Sequence, residues 1–148
     1  MKKSSLFLAI VLIVSMMTTA AQATSTIYQE TETIHTEIGD FEIETTTIIY
    51  PSAVRSSSRN AERIREIKSG GALIAKVTLS ASFGYDGKTA WVSSASGSHT
   101  TYDKWSYGSE DITKSGGTAK LTATLSHILH RDVPLTITIT CSPTGQIS

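Results

Sequence analysis

His127 and His130 stand three residues apart, with Asp132 close behind, in the run His127-Ile128-Leu129-His130-Arg131-Asp132. Imidazole and carboxylate suit zinc or copper, and a loop could gather all three. The run lacks a recognised zinc spacing and joins two expected strands, so exposed histidines on a connecting loop are the simpler expectation; no metal or other cofactor is expected. Nucleophilic chemistry finds even less support. There is no Gly-x-Ser-x-Gly elbow, no His-Glu-x-x-His, no phosphate-binding glycine loop and no Gly-x-Gly-x-x-Gly. Glu110 and Asp111 are adjacent and point to opposite faces of a strand, a poor start for paired-carboxylate hydrolysis. The one cysteine, Cys141, falls in the inward register of the last strand and reads as a buried structural thiol. The chain is expected not to be an enzyme.

Binding chemistry is better represented. Tyr85, Trp91, Tyr102, Trp105 and Tyr107 fall within 23 residues. Trp91, Tyr102, Trp105 and Tyr107 are the candidate ligand-binding residues, because exposed aromatic rings beside Ser, Asp and His can hold sugars or peptides. The competing expectation is local packing, an indole covering a glycine gap on a sheet. Charge is also uneven: Glu30, Glu32, Glu37, Asp40, Glu42 and Glu44 precede Tyr50 without a base, whereas six bases and two acids lie between Pro51 and Lys76. Two segments of opposite sign that lie side by side would account for this.

These residues must be positioned by strands. Lys2 and Lys3 precede an apolar run, Leu6 to Met17, which ends in Ala21-Gln22-Ala23. That order is a secretory signal peptide, residues 1–23, cleaved after Ala23, and the run is too short for a comfortable membrane span. The remaining 125 residues carry 11 basic and 13 acidic groups, which excludes a general nucleic-acid binder. One domain, 24–148, is expected, with no transmembrane segment and no disulfide.

Ser (18) and Thr (20) dominate that stretch, and Thr suits a pleated, half-exposed surface. Leu73, Ala75, Val77, Leu79, Ala81, Phe83 and Tyr85 alternate with polar residues; so do Ala119, Leu121, Ala123 and Leu125, and Val133 through Cys141. Asp86-Gly87 reads as a two-residue turn that sets Tyr85 opposite Lys88, Phe83 opposite Ala90 and Ala81 opposite Val92. Gly39-Asp40 reads likewise, with Ile38 facing Phe41 and Thr36 facing Ile43. Ser115-Gly116-Gly117 brings Ile112 near Leu121. Residues 51–60 read as a loop and Arg55–Lys68 as an irregular or edge strand. About eight strands without a long helix give an all-β, single-domain antiparallel β-sandwich, Ig-like or Greek-key, with a small β-barrel as the alternative.

The pattern Ala75-x-Val77-x-Leu79-x-Ala81-x-Phe83-x-Tyr85-x-Gly87, the Trp–aromatic segment and the ending Thr138-x-Thr140-Cys141-x-x-x-Gly145-x-Ile147-Ser148 resemble small secreted β-rich proteins of unknown function from Gram-positive, largely clostridial, bacteria. The resemblance covers residues 70–148 and implies export and a β-rich domain; it brings no activity, cofactor or site residue with it. The expected protein is secreted, free or on the cell envelope. It works by surface contact with an extracellular protein, or alternatively as a carbohydrate- or cell-wall-binding module using the four aromatics. A secreted toxin or antimicrobial is the third reading.

Overall fold

A computed structural model describes residues 10–11, 24–36, 39–53 and 56–148. No helix occurs among them, and none is therefore long and apolar enough to cross a membrane. The expected leader, with Ala23 at its end, lies outside the described residues apart from β1 (Ile10–Val11), a two-residue strand against β2.

The larger sheet runs β2 (Thr26–Thr36), β3 (Gly39–Ile49), β4 (Ser58–Ser69), β5 (Ala72–Tyr85) and β6 (Ala90–Thr101) in chain order, with β1 at its margin. The smaller sheet is β7 (Ser106–Ser115), β8 (Thr118–His127) and β9 (His130–Thr140). Every pairing is antiparallel and neither sheet closes into a barrel. The all-β sandwich expected from the alternation is what forms. The Ig-like or Greek-key order is not: each sheet is a plain meander. Tight hairpins at Gly70–Gly71, Gly116–Gly117 and Ile128–Leu129 leave consecutive strands no choice but to be neighbours. Only the connection after Thr101 changes sheet.

The inner faces follow the predicted period. Ala119, Leu121, Ala123 and Leu125 of β8 are buried, as are Leu135, Ile137 and Ile139 of β9, together with Cys141. They meet Val77, Leu79, Ala81 and Phe83 of β5 in one core. Each fully buried Leu, Ile, Val or Phe contributes about 1.5–3 kcal/mol, which is what fixes the register.

Three expectations are corrected. The β5–β6 loop is four residues long: Asp86 N–H donates to Thr89 O (3.1 Å), and Asp86 Oδ1 accepts from Lys88 N–H (2.9 Å) and Thr89 N–H (2.7 Å). The carboxylate satisfies the turn that a two-residue loop would have closed through its backbone. Tyr85 therefore pairs with Ala90 and Phe83 with Val92, and a bulge then sets Ala81 against Ala95. In β2–β3, Thr36 pairs with Gly39 and Ile34 with Phe41, a shift of four residues in the pairing that keeps the same face inward. His35 Nδ1 lies 2.8 Å from Asp40 Oδ1 beside that turn; Ile38 lies outside the described residues. The hairpin at Gly116–Gly117 does set Ile112 opposite Leu121.

The third correction is the largest. Ser58–Ser69 is no edge strand but an interior one, paired with β5 along its length and with β3 from Ala61 to Ser69, and it begins inside the segment expected to be loop. Gly70 (φ 59°) and Gly71 (φ 82°) supply the left-handed turn that returns it to β5. Ile67 faces the core, whereas Ile64, of opposite parity, does not. A bulge opposite Ile67/Lys68 admits one extra residue in β5, so Ile74 and Ala75 are both buried and Leu73 is not. The acidic β2–β3 pair thus lies beside the basic β4. Lys68 Nζ reaches Glu44 at 2.8 Å and Glu42 at 4.0 Å, while Lys76 reaches Glu66 at 3.1 Å.

Candidate functional site

The four aromatics do not share a surface. Trp91 and Tyr102 are exposed, at 46% and 41%, but the whole of β6 separates them, about 35 Å at roughly 3.3 Å per residue. Trp105 is only 7% exposed. It meets Phe41 edge-to-face at 6.2 Å and lies parallel to His130 at 5.6 Å, with His127 tilted against it at 5.2 Å. A ring covered on both sides belongs to the core and offers a ligand no platform. Tyr107 stacks on His99 at 3.8 Å and donates its hydroxyl to Glu110 (2.6 Å). Burial, followed by that hydrogen bond, pushes the phenol well above its ordinary pKa.

Trp91 lies directly opposite Gly84, not opposite Ser82. A Cβ on Gly84 would come within 2.4 Å of the indole, so the ring fills the space the glycine leaves. Gly84→Ala is expected to swing the indole outward and to destabilise the fold by about 1–2 kcal/mol. The checks are a chemical melt and a red shift in tryptophan emission; an unchanged melt would return Trp91 to the role of free platform.

His127 and His130, paired across the β8–β9 hairpin with rings 4.8 Å apart, are taken up by Trp105 and do not converge with Asp132. Among the described residues no three His, Cys, Asp or Glu side chains could hold a metal ion. Cys141 is buried, and burial raises its thiol pKa against the lowering influence of Arg59. A raised thiol pKa favours the neutral form in the fold. Its contribution to stability is complete below the ordinary thiol value and fades as pH rises through the folded one. Iodoacetamide at pH 8 should therefore modify Cys141 at least about a hundredfold more slowly in the native protein than in denaturant, by mass spectrometry.

What the structure does assemble is a groove that no motif announced. β7 packs against β6, β8 against β5 and β6, and β9 against β4 and β5. The larger sheet is wider, so β2 and β3 project past β9. Beneath that overhang lies a groove of about 780 Å³. Its floor is apolar, with Ile34, Phe41, Ile43 and Ile67 from the larger sheet and Leu125 and Leu135 from the smaller. Glu32, Arg65, Arg131 and Asp132 supply its charge, and residues 131–136 of β9 form one wall.

Two arginines face inward here. Arg63 Nε donates to Thr47 Oγ1 (2.8 Å), and Arg63 Nη1 donates across the gap to Thr138 O on β9. Arg65, the next inward residue, has a buried Nε with no hydrogen-bond partner. Loss of water lowers the pKa of both guanidinium groups, and the carboxylates of β2 oppose it: Glu30 for Arg63, Glu32 and then Glu30 for Arg65. One signal in the sequence pointed to this. Once Ser58–Ser69 is a strand, Arg59, Arg63 and Arg65 share the parity of buried Ala61 and Ile67, and charges on a core face need a reason.

Comparison with protein-family models, curated proteins and solved structures finds no match for this chain.

Proposed function

We propose that this is a secreted, non-enzymatic β-sandwich protein that works outside the cell by contact with another macromolecule, and that the groove beneath the β2–β3 overhang is its contact surface. The observation that supports this reading best is the combination of an apolar floor with the Arg65 guanidinium that lines it. Ligand sites are concave, mostly apolar and carry a few oriented polar groups. The aromatics give the carbohydrate reading no such focus, since one is core and two lie at opposite ends of β6.

The test is retention of the exported protein on wall fractions and on exported proteins of its own source, compared with Ile34→Lys. Ile34 is only partly buried on the groove, so a charge there blocks the floor with a modest effect on folding. Retention should be lost in Ile34→Lys and kept in Trp91→Ala. Retention that survives Ile34→Lys but fails in Trp91→Ala or Tyr102→Ala would move the contact surface to the aromatics.

A further inference from the structure

Resting on that reading, we propose that the bare edge of β9 takes up an extended segment of a separate polypeptide, which joins the smaller sheet as its fourth strand. That segment is apolar at alternate positions and carries one carboxylate at the level of Arg65.

The direction of the backbone groups along β9 carries the argument. In an antiparallel ladder, alternate residues turn both N–H and C=O away from their partner strand. On β9 these are the even positions. Thr140 N–H donates to Ser148 O (2.8 Å) and Ser148 N–H to Thr140 O (2.9 Å), while Thr138 O accepts Arg63. Pro134, which has no N–H to offer, holds the same parity. That leaves Thr138 N–H, Thr136 N–H, Thr136 O and Pro134 O on the outer edge, and among the described residues no strand follows β9 in the sheet order. The C-terminal tail already shows what this edge accepts: Cys141 and Ile147 form an antiparallel bridge on it. An added segment continues the line of the tail toward Arg131.

The space has the right width. β3 and β2 extend one and two strand spacings past β4, about 10 Å in all, and an added strand needs about 4.8 Å. Residues opposite Leu135 and Ile137 point at the larger sheet and meet Ile34 and Ile43, so they are apolar. A further inward position of the segment passes Arg65, whose side chain lines the groove, and a carboxylate there fits a guanidinium best. A second copy of this chain does not fit. Two-fold pairing of β9 with itself would put both larger sheets on one side, and their two-strand overhangs would occupy the same volume.

The test is selection of the protein against a displayed library of random seven-residue peptides. The expected consensus alternates apolar or β-branched residues with polar ones and holds Asp or Glu at one inward position. Thr136→Pro removes the outward N–H without touching the β8–β9 ladder, and Pro134 shows that the strand tolerates the ring. It should weaken the selected peptide by about tenfold or more. Methylation of the peptide amide opposite Thr136 should do the same with the protein unaltered, which covers a variant that folds poorly. No enrichment, a consensus without alternation, or affinity indifferent to both changes overturns the strand assignment. Loss of binding in Ile34→Lys with indifference to Thr136→Pro would keep the groove as the contact surface while rejecting the strand. A dimer in sedimentation that Thr136→Pro dissociates would replace the partner by a second copy.

Discussion

Trp105→Ala is expected to lower the stability of the protein by about 3–5 kcal/mol, the range for emptying a buried aromatic site. That is a large share of the roughly 5–15 kcal/mol that holds a domain folded. The indole joins the two sheets: Phe41 on β3 meets it edge-to-face, while His127 and His130 cover it from the β8–β9 hairpin. Nothing nearby can collapse into the hole without moving that hairpin away from the overhang. Trp91→Ala, by contrast, removes a half-exposed ring and should cost about 1–2 kcal/mol. Urea melts of the two variants check the order. If Trp91→Ala were the more damaging, the assignment of Trp105 to the core would be reversed.

Arg63→Ala is the second large effect, at about 2–3 kcal/mol. The guanidinium uses two donors to join Thr47 on β3 to the β9 backbone at Thr138, and hydrogen bonds from a charged group are worth about 1.5–3 kcal/mol. The loss stays below the sum of two such bonds because the side chain is part-exposed and water screens it. Arg63→Lys should recover less than half the loss, since an ammonium on a flexible stem cannot hold both acceptors in one planar fork. Urea midpoints at constant m-value test this. A lysine variant as stable as the wild type would show that charge near Glu30, and not the fork, matters.

The β8 and β9 cores were legible in the sequence because strict alternation leaves one face for the core: Leu121, Leu125, Ile137 and Ile139 are all fully buried. The β7–β8 turn was legible because Gly116–Gly117 fits a two-residue loop. β4 was not legible, for two physical reasons. Its isoleucines Ile64 and Ile67 lie on opposite faces, and its core face carries arginines that hydropathy assigns to solvent. The candidate site was less legible still. Trp91 and Trp105 differ in burial because one lies on the edge strand β6 and the other in the crossing between the sheets just before β7, which local pattern does not encode. The groove exists because one sheet is two strands wider than the other, a property of how meanders stack and not of any residue run.

Amide hydrogen exchange along β9, read residue by residue by NMR, decides whether its outer edge is open. The free protein should show slow exchange at Leu135, Ile137 and Ile139, whose amides face β8, and fast exchange at Thr136. Adding a selected peptide should slow Thr136 alone among these. Uniform protection of β9 in the free protein, or a Thr136 amide that stays fast at saturating peptide, would contradict an open strand edge as the working surface.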